Sequence, residues 1–459
     1  MLSVRDDLSA ESDRQASSVG FSRRSMTGKA IVVALLAAAS AVQAQTTGAI
    51  DPVLARRYFE DLRQLGVADN GRLWGKRVDG PVMFVDAAAR VMVANEADSK
   101  GLLHEESGVW VGKLPESENP ANTAVDLGGK RWSMVLWPLS DSRYARQRLL
   151  MHESFHRMQN DIGIPMTNPA NAHLATAEGR IWTRLEWRAL TEALLRSGTA
   201  RRQALTDALI FRARRRAIAP KALEDERLLE MNEGLAEYTG LVLSGLPRSA
   251  LNDRAAVQLA QSEPQESFVR SFAYASGPAY ALLLDASGIP WRRKLRASDD
   301  LSELTRRAYG IAAVDNADAD KLIDRYAGAR MIADEKEREK KRVENEARIR
   351  SEFMEGPRLR LPVAGAFSFS FDPNGAVPIA GVGTYYQSSR ITDSWGALEV
   401  ESGGVLMERR SDGAITAVVV PRPVVSEGKI SGAGWTLTLA PGWSAVEGQR
   451  KGELTLKSP

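Results

Sequence analysis

From residue 143 to about 335, apolar residues recur at three- and four-residue intervals, the spacing of one face of an α-helix. "RLLMHESFHRMQN" (148–160) opens this region. "ATAEGRIWTRLEWRALTEALLRSG", "ARRQALTDALIFRARRRAI", "PKALEDERLLEMNEGLAEYTGLVLSG" and "SFVRSFAYASGPAYALLLDAS" follow as helix-length segments. In the first of these, Trp182, Leu185, Ala189 and Leu190 share a helical face, which predicts plain packing rather than a cleft wall. Residues 52–66 read as a short amphipathic helix. Between 80 and 138 the pattern changes to short β-rich runs, "PVMFVDAAARVMVANE", "GVWVGKLP" and "NTAVDLGGKRWSMVLWPL", with Gly128-Gly129 as the expected hairpin turn.

Beyond 332 the apolar stripe fades. Residues 333–355, "ADEKEREKKRVENEARIRSEFME", mix both charge signs and predict a solvated linker helix ending at Gly356-Pro357. Residues 356–459 alternate apolar and polar positions between Gly and Pro punctuation, as in "AFSFSF" and "WTLTLAPGW", with Asp412-Gly413 as a hairpin turn. This predicts a small all-β domain without a catalytic constellation. No internal repeat is present.

Composition narrows the chemistry. The 459 residues are 44% apolar and 26% charged, with a net charge of +3 and no single basic tract, so nothing points to nucleic acid as a partner. Cysteine is absent, which excludes disulfides, thiolate metal ligands and a cysteine nucleophile; a metal would have to be held by His, Asp and Glu. At the N-terminus, Arg23, Arg24 and Lys29 precede "AIVVALLAAASAV", and "VQA" offers small residues for cleavage after Ala44. Residues 1–44 are therefore expected to be an export signal, with Met26 as the start that gives an ordinary signal length. "SRR" at 22–24 leaves the general and twin-arginine routes both open. The apolar run is too short for a comfortable membrane span, so no stable span is expected after cleavage, and the mature protein is expected in a bacterial periplasm or outside the cell.

The chain has only four histidines, and two of them stand four apart in "HESFH". On an α-helix, His152 and His156 leave the same side about 6 Å apart, while Glu153 points to a neighbouring side. That is the H-E-x-x-H arrangement of a zinc hydrolase, two imidazole ligands and an adjacent general base. Catalytic zinc needs a third protein ligand and a position left for water. Glu233 in "EMNEGLAEYTG" and Glu178 in "AEGRIW" both follow the motif and are both followed by glycine.

The combination of "HESFH" with "NEGLAEY" resembles the gluzincin zinc metallopeptidases over roughly residues 80–290. The resemblance implies an α+β fold: a small sheet and a helical bundle carrying HExxH as a catalytic domain (50–332), here followed by the linker helix (333–355) and the all-β domain (356–459). It implies zinc held by His152, His156 and Glu233, and Glu153 as the base. It also implies a tyrosine from "FAYASGPAY" that stabilises the tetrahedral intermediate, Tyr274 first and Tyr280 second. One departure is plain: Glu233 follows His156 by 77 positions, much farther than in many gluzincins, whereas Glu178 follows by 22. Glu233 is preferred because Ala236 permits a close helix approach that Ile181 and Trp182 would obstruct. Glu237, one turn on, could orient a histidine, and His173 could line the cleft or be structural.

The expected activity is hydrolysis of a peptide or protein substrate, held by strand addition along "RWSMVLWP" as an edge strand. A zinc hydrolase of a non-peptide amide in the cell envelope, or a non-catalytic envelope binding protein that keeps the fold, are the alternatives. The intact base weighs against the latter.

Overall fold

A computed structural model describes residues 50–458, apart from 116–117, 119, 266, 366, 372–375, 411–413 and 427–428. The expected export signal (1–44) and the expected Asp412-Gly413 turn lie outside the described residues. Helix α1 (Pro52–Asp69) begins where Asp51 accepts the Val53 N–H at 2.8 Å and Pro52 sets the first turn. Its Phe59 stacks on Phe84 with ring centroids 4.6 Å apart, which fastens the helix to a six-stranded sheet.

That sheet is built from β1 (Val82–Asp86), β2 (Val91–Ala94), β3 (His104–Glu106), β4 (Val109–Lys113), β5 (Thr123–Leu127) and β6 (Lys130–Leu136). The strand order is β3-β4-β2-β1-β6-β5, antiparallel except for the β1–β6 pair. Gly128 and Gly129 both take positive φ, 60° and 79°, as a two-residue hairpin turn demands, and Leu127 pairs with Lys130 across it. Alternation then sorts the side chains. Phe84, Val93 and Val135 face the helices, while Met83, Val85, Met92, Trp132 and Met134 form a smaller core on the other side. The expectation that "RWSMVLWP" is an edge strand is overturned. β6 pairs with β1 on one side and β5 on the other, so the edge strands are β5 and, at the far side, β3.

The helical layer contains α2 (Arg143–Met158), α3 (Ala177–Leu195), α4 (Gly198–Arg216), α5 (Ala222–Leu229), a π-helical turn (Glu230–Gly234), α6 (Leu235–Val242), α7 (Leu251–Ser262), α8 (Ser271–Ala286) and α9 (Leu301–Ala308). Ser142 and Thr176 cap α2 and α3 through their hydroxyls. Trp182, Leu185, Ala189 and Leu190 are buried in one core with residues of α2, α6 and α8. Two glycines let the elements around the motif helix meet. A Cβ on Gly240 of α6 would lie 2.6 Å from the Arg148 carbonyl oxygen of α2, and one on Gly277 of α8 would lie 2.4 Å from the Gly234 Cα.

Helix α10 (Gly328–Ile349) continues into a second π-helical turn ending at Glu355, and it is less solvated than its charge pattern predicts. Met331 joins the main core. Glu335 is buried and takes Arg180 at 2.8 Å and Arg184 at 3.0 Å from α3. At the other end Ile349 and Phe353 pack on Tyr385, Leu406 and Val419. From Arg358 to Lys457 the described chain is strand and turn. It forms a seven-stranded and a six-stranded sheet with a shared core of Leu361, Ile391, Trp395, Leu398, Met407, Val418 and Leu437. The class is α+β with a C-terminal β region. Among the described residues, no helix is long and apolar enough to cross a membrane.

Candidate metal centre

His152 and His156 leave α2 on the side packed against the π-helical turn and α6, and Glu233 comes from that turn to meet them. The Glu233 Oε2 atom lies 3.5 Å from His152 Nε2 and 3.3 Å from His156 Nε2, and the two Nε2 atoms are 3.1 Å apart. All three side chains are buried. Their potential ligand atoms lie within 4.8 Å of one another, so this group could hold a metal ion.

The hydrogen bonds behind the imidazoles decide what their inner nitrogens carry. Asn232 Nδ2 donates to the Thr167 carbonyl at 2.8 Å and to Glu233 Oε1 at 3.3 Å, both of which can only accept. Asn232 Oδ1 must then accept from Gln159 Nε2 (2.9 Å), which leaves Gln159 Oε1 facing His156 Nδ1 at 2.7 Å. His156 therefore donates from Nδ1. His152 Nδ1 is 2.9 Å from Glu237 Oε2, a carboxylate that also pairs with Arg148 and accepts from Gln258, so His152 donates from Nδ1 as well. Neutral rings held this way turn two Nε2 lone pairs toward each other and toward a carboxylate oxygen. A single shared proton relieves one of these contacts; a cation at the centre relieves all three. Glu233 Oε2 is buried without a hydrogen-bond partner, as a ligand atom waiting for a metal would be. The donor set, two imidazoles and one carboxylate, suits a divalent metal ion.

Glu153 points into the same cleft, and its buried Oε2 also lacks a partner. Burial pushes its carboxyl up to about 7, whereas burial pushes the His152 imidazole down to about 4, so that ring is neutral. The Tyr274 ring stacks on His152 with centroids 5.6 Å apart and planes 9° from parallel. Burial and the neighbouring Glu233 hold its phenol well above the usual range, hence protonated. The cleft has a volume of about 300 Å³ and is lined also by Asn122 and Thr123 at the start of β5, by Met166, Thr167 and Asn168, and by Arg270.

Other candidates lie elsewhere. Glu178 is half exposed (51%) and faces Arg214 and Trp182, outside the histidine cluster. Tyr280 is fully buried and donates to Glu186 at 2.8 Å, and His173 contacts Glu226 at 2.8 Å. Both belong to an interior charge network. In it Arg212 grips Glu230 through two bonds of 2.7 and 2.6 Å and reaches Glu186 at 2.7 Å, while Arg215 joins Glu186 to Glu226. Sequence reasoning missed Gln159, Asn232, Arg148, Gln258 and Arg270. Gln159 stood in plain sight one turn past His156, and Asn232 directly before Glu233, but only the fold shows that they meet. Compared with family models, curated proteins and solved structures, the chain has no match.

Proposed function

We propose that this protein is a zinc-dependent peptidase of gluzincin type, exported and acting outside the cytoplasm, that cuts peptide or protein substrates. The observation that carries this reading is the convergence of two Nδ1-tethered imidazoles and the partnerless Glu233 Oε2, with the equally partnerless Glu153 carboxylate beside them. The order of charged, apolar and small residues before Gln45 supports the export. His152, His156 and Glu233 would hold the metal. Zinc bound there supplies an acidified water and polarises the scissile carbonyl. Glu153, raised by burial toward neutrality, takes the proton of the attacking water and returns it to the leaving amine. Tyr274, kept protonated, donates a hydrogen bond to the carbonyl oxygen as it gains charge. The β5 edge, beginning at the cleft with Asn122 and Thr123, offers backbone groups for an extended peptide, which favours a peptide over another amide.

Zinc analysis of the purified protein and of Glu153→Gln, with digestion of a peptide library, tests this. About one zinc per chain is expected in both, with hydrolysis lower in the variant by about 100-fold or more. A protein without zinc, or a variant that turns over like wild type, defeats the reading.

A further inference from the structure

We propose that Arg270 makes this cleft selective for peptides that carry a carboxylate within about two residues of the bond that is cut. The inference deepens the peptidase reading and rests on it for the position of the scissile bond. Three charged side chains besides the histidines line the cleft, Glu153, Glu233 and Arg270, and Arg270 is the sole lysine or arginine among the lining residues. The two carboxylates are buried, whereas the Arg270 side chain is 47% exposed. A guanidinium has five N–H donors. Arg270 Nη2 gives one to Glu233 Oε1 at 3.0 Å, Nη1 gives one to Asn168 Oδ1, and the Tyr274 hydroxyl lies close by. Donors therefore remain on an open guanidinium, in the fork geometry that suits a carboxylate.

The charge balance points the same way. A divalent cation held by His152, His156 and Glu233 is offset by Glu233 and Glu153 together. The positive charge of Arg270 is then left over, because the remaining lining residues are neutral. A cleft loaded in this way attracts an anionic group rather than a cationic one. Arg270 also stands one helical turn before Tyr274, about 6 Å along the axis. An extended chain covers about 3.3–3.6 Å per residue, so a carboxylate on Arg270 sits no more than about two residues from a carbonyl beside Tyr274. Either a free C-terminal carboxylate or an acidic side chain presents that group.

The test compares matched peptides on the zinc-loaded full chain. One pair differs in a C-terminal acid against its amide; a second, amidated pair differs in Glu against Gln next to the cleavage point. Wild type is expected to favour the charged member of at least one pair by about 10-fold or more in kcat/KM, the scale of a charge-assisted contact. Arg270→Gln should bring that ratio close to one, with Arg270→Lys in between, and whichever pair responds identifies the source of the carboxylate. Zinc content is measured in each variant, because Arg270 also touches Glu233. Lower turnover on both members with the ratio unchanged would make Arg270 a merely structural partner of Glu233 and overturn the proposal, as would a wild type without preference. If no peptide is cut, calorimetry of Glu153→Gln with an acetylated dipeptide acid and its amide separates the two ideas. Tighter, Arg270-dependent binding of the acid keeps the selectivity while the hydrolytic reading falls; equal binding removes the selectivity.

Discussion

Replacing Glu237 by Gln should weaken metal binding by reversing the tautomer of His152. Glu237 Oε2 accepts from His152 Nδ1 at 2.9 Å, while Oε1 faces the Arg148 guanidinium and the Gln258 amide, 3.3 Å away. A glutamine of the same shape has one oxygen for these two sides. Turned toward Arg148, the oxygen keeps a charge-assisted bond worth about 1.5–3 kcal/mol; turned toward His152, it keeps a neutral bond worth about 0.5–1.5 kcal/mol and sets its NH2 against two donors. The first orientation wins by about 1 kcal/mol or more on these figures. It puts an NH2 against Nδ1 of His152, which then becomes the acceptor and moves the ring proton to Nε2, where the metal would bind. Restoring the Nε2 lone pair then costs a hydrogen bond, and zinc affinity should fall by about 10–100-fold, or about 1.4–2.7 kcal/mol. Competition with a chromophoric chelator measures the affinity, and nitrogen-15 spectra of the metal-free protein report the tautomer directly. Unchanged affinity, or an Nδ1 proton retained on His152 in the variant, would refute the reasoning.

Three further outcomes follow from the same geometry. Glu233→Gln should lose most bound zinc under a chelator challenge that leaves Glu178→Gln unaffected, since Glu178 faces Arg214 instead; the reverse result would move the third ligand to Glu178. Arg212→Met should cost about 3–5 kcal/mol in urea unfolding, because it strips both bonds from buried Glu230 and one from Glu186; a loss below 1 kcal/mol on the order of a surface pair would show the network to be slack. Burial alone would raise Glu186 and Glu226, but the arginines outweigh it and hold both carboxyls below their ordinary range, so their stabilisation is present above the unfolded carboxylate pKa of about 4.3. Stability should therefore hold from neutral pH to about 5 and fall below that, and urea midpoints that rise on acidification would contradict the sign.

What could be read from the sequence was local. Helical spacing marks the buried face of α3, Gly128-Gly129 marks its hairpin, and "HESFH" carries its own geometry because four residues fix two imidazoles on one helix side. What could not be read depends on partners far along the chain. Strand order is one case: "RWSMVLWP" has the same alternation whether it lies at an edge or between β1 and β5. Helix α10 is another. Its core contacts are Met331, Ile349 and Phe353 at the two ends, and between them the buried Glu335 reads as one more surface charge until Arg180 and Arg184 of α3 are seen around it.

The deepest such case is the turn that presents Glu233. On a regular α-helix, residues three apart are separated by about 60° in projection, so Glu230 and Glu233 would face nearly the same surroundings. They cannot share one here, because Glu230 has to meet Arg212 in the interior while Glu233 has to meet two imidazoles at the cleft. The π-helical turn at Glu230–Gly234 widens the coil to an i→i+5 bond and so opens the angle between the two carboxylates. Past Gly234 the chain returns to α-helix, and Glu237 comes round beneath His152. Three glutamates within eight residues thus serve an interior arginine, the proposed metal position and the outer nitrogen of His152. The Arg212–Glu230 grip ties the widened turn to α4, and the Gly234–Gly277 contact seats it against α8. A π-bulge costs backbone stability, and its presence at the proposed third ligand is the pattern expected where the position of a functional group outweighs regularity.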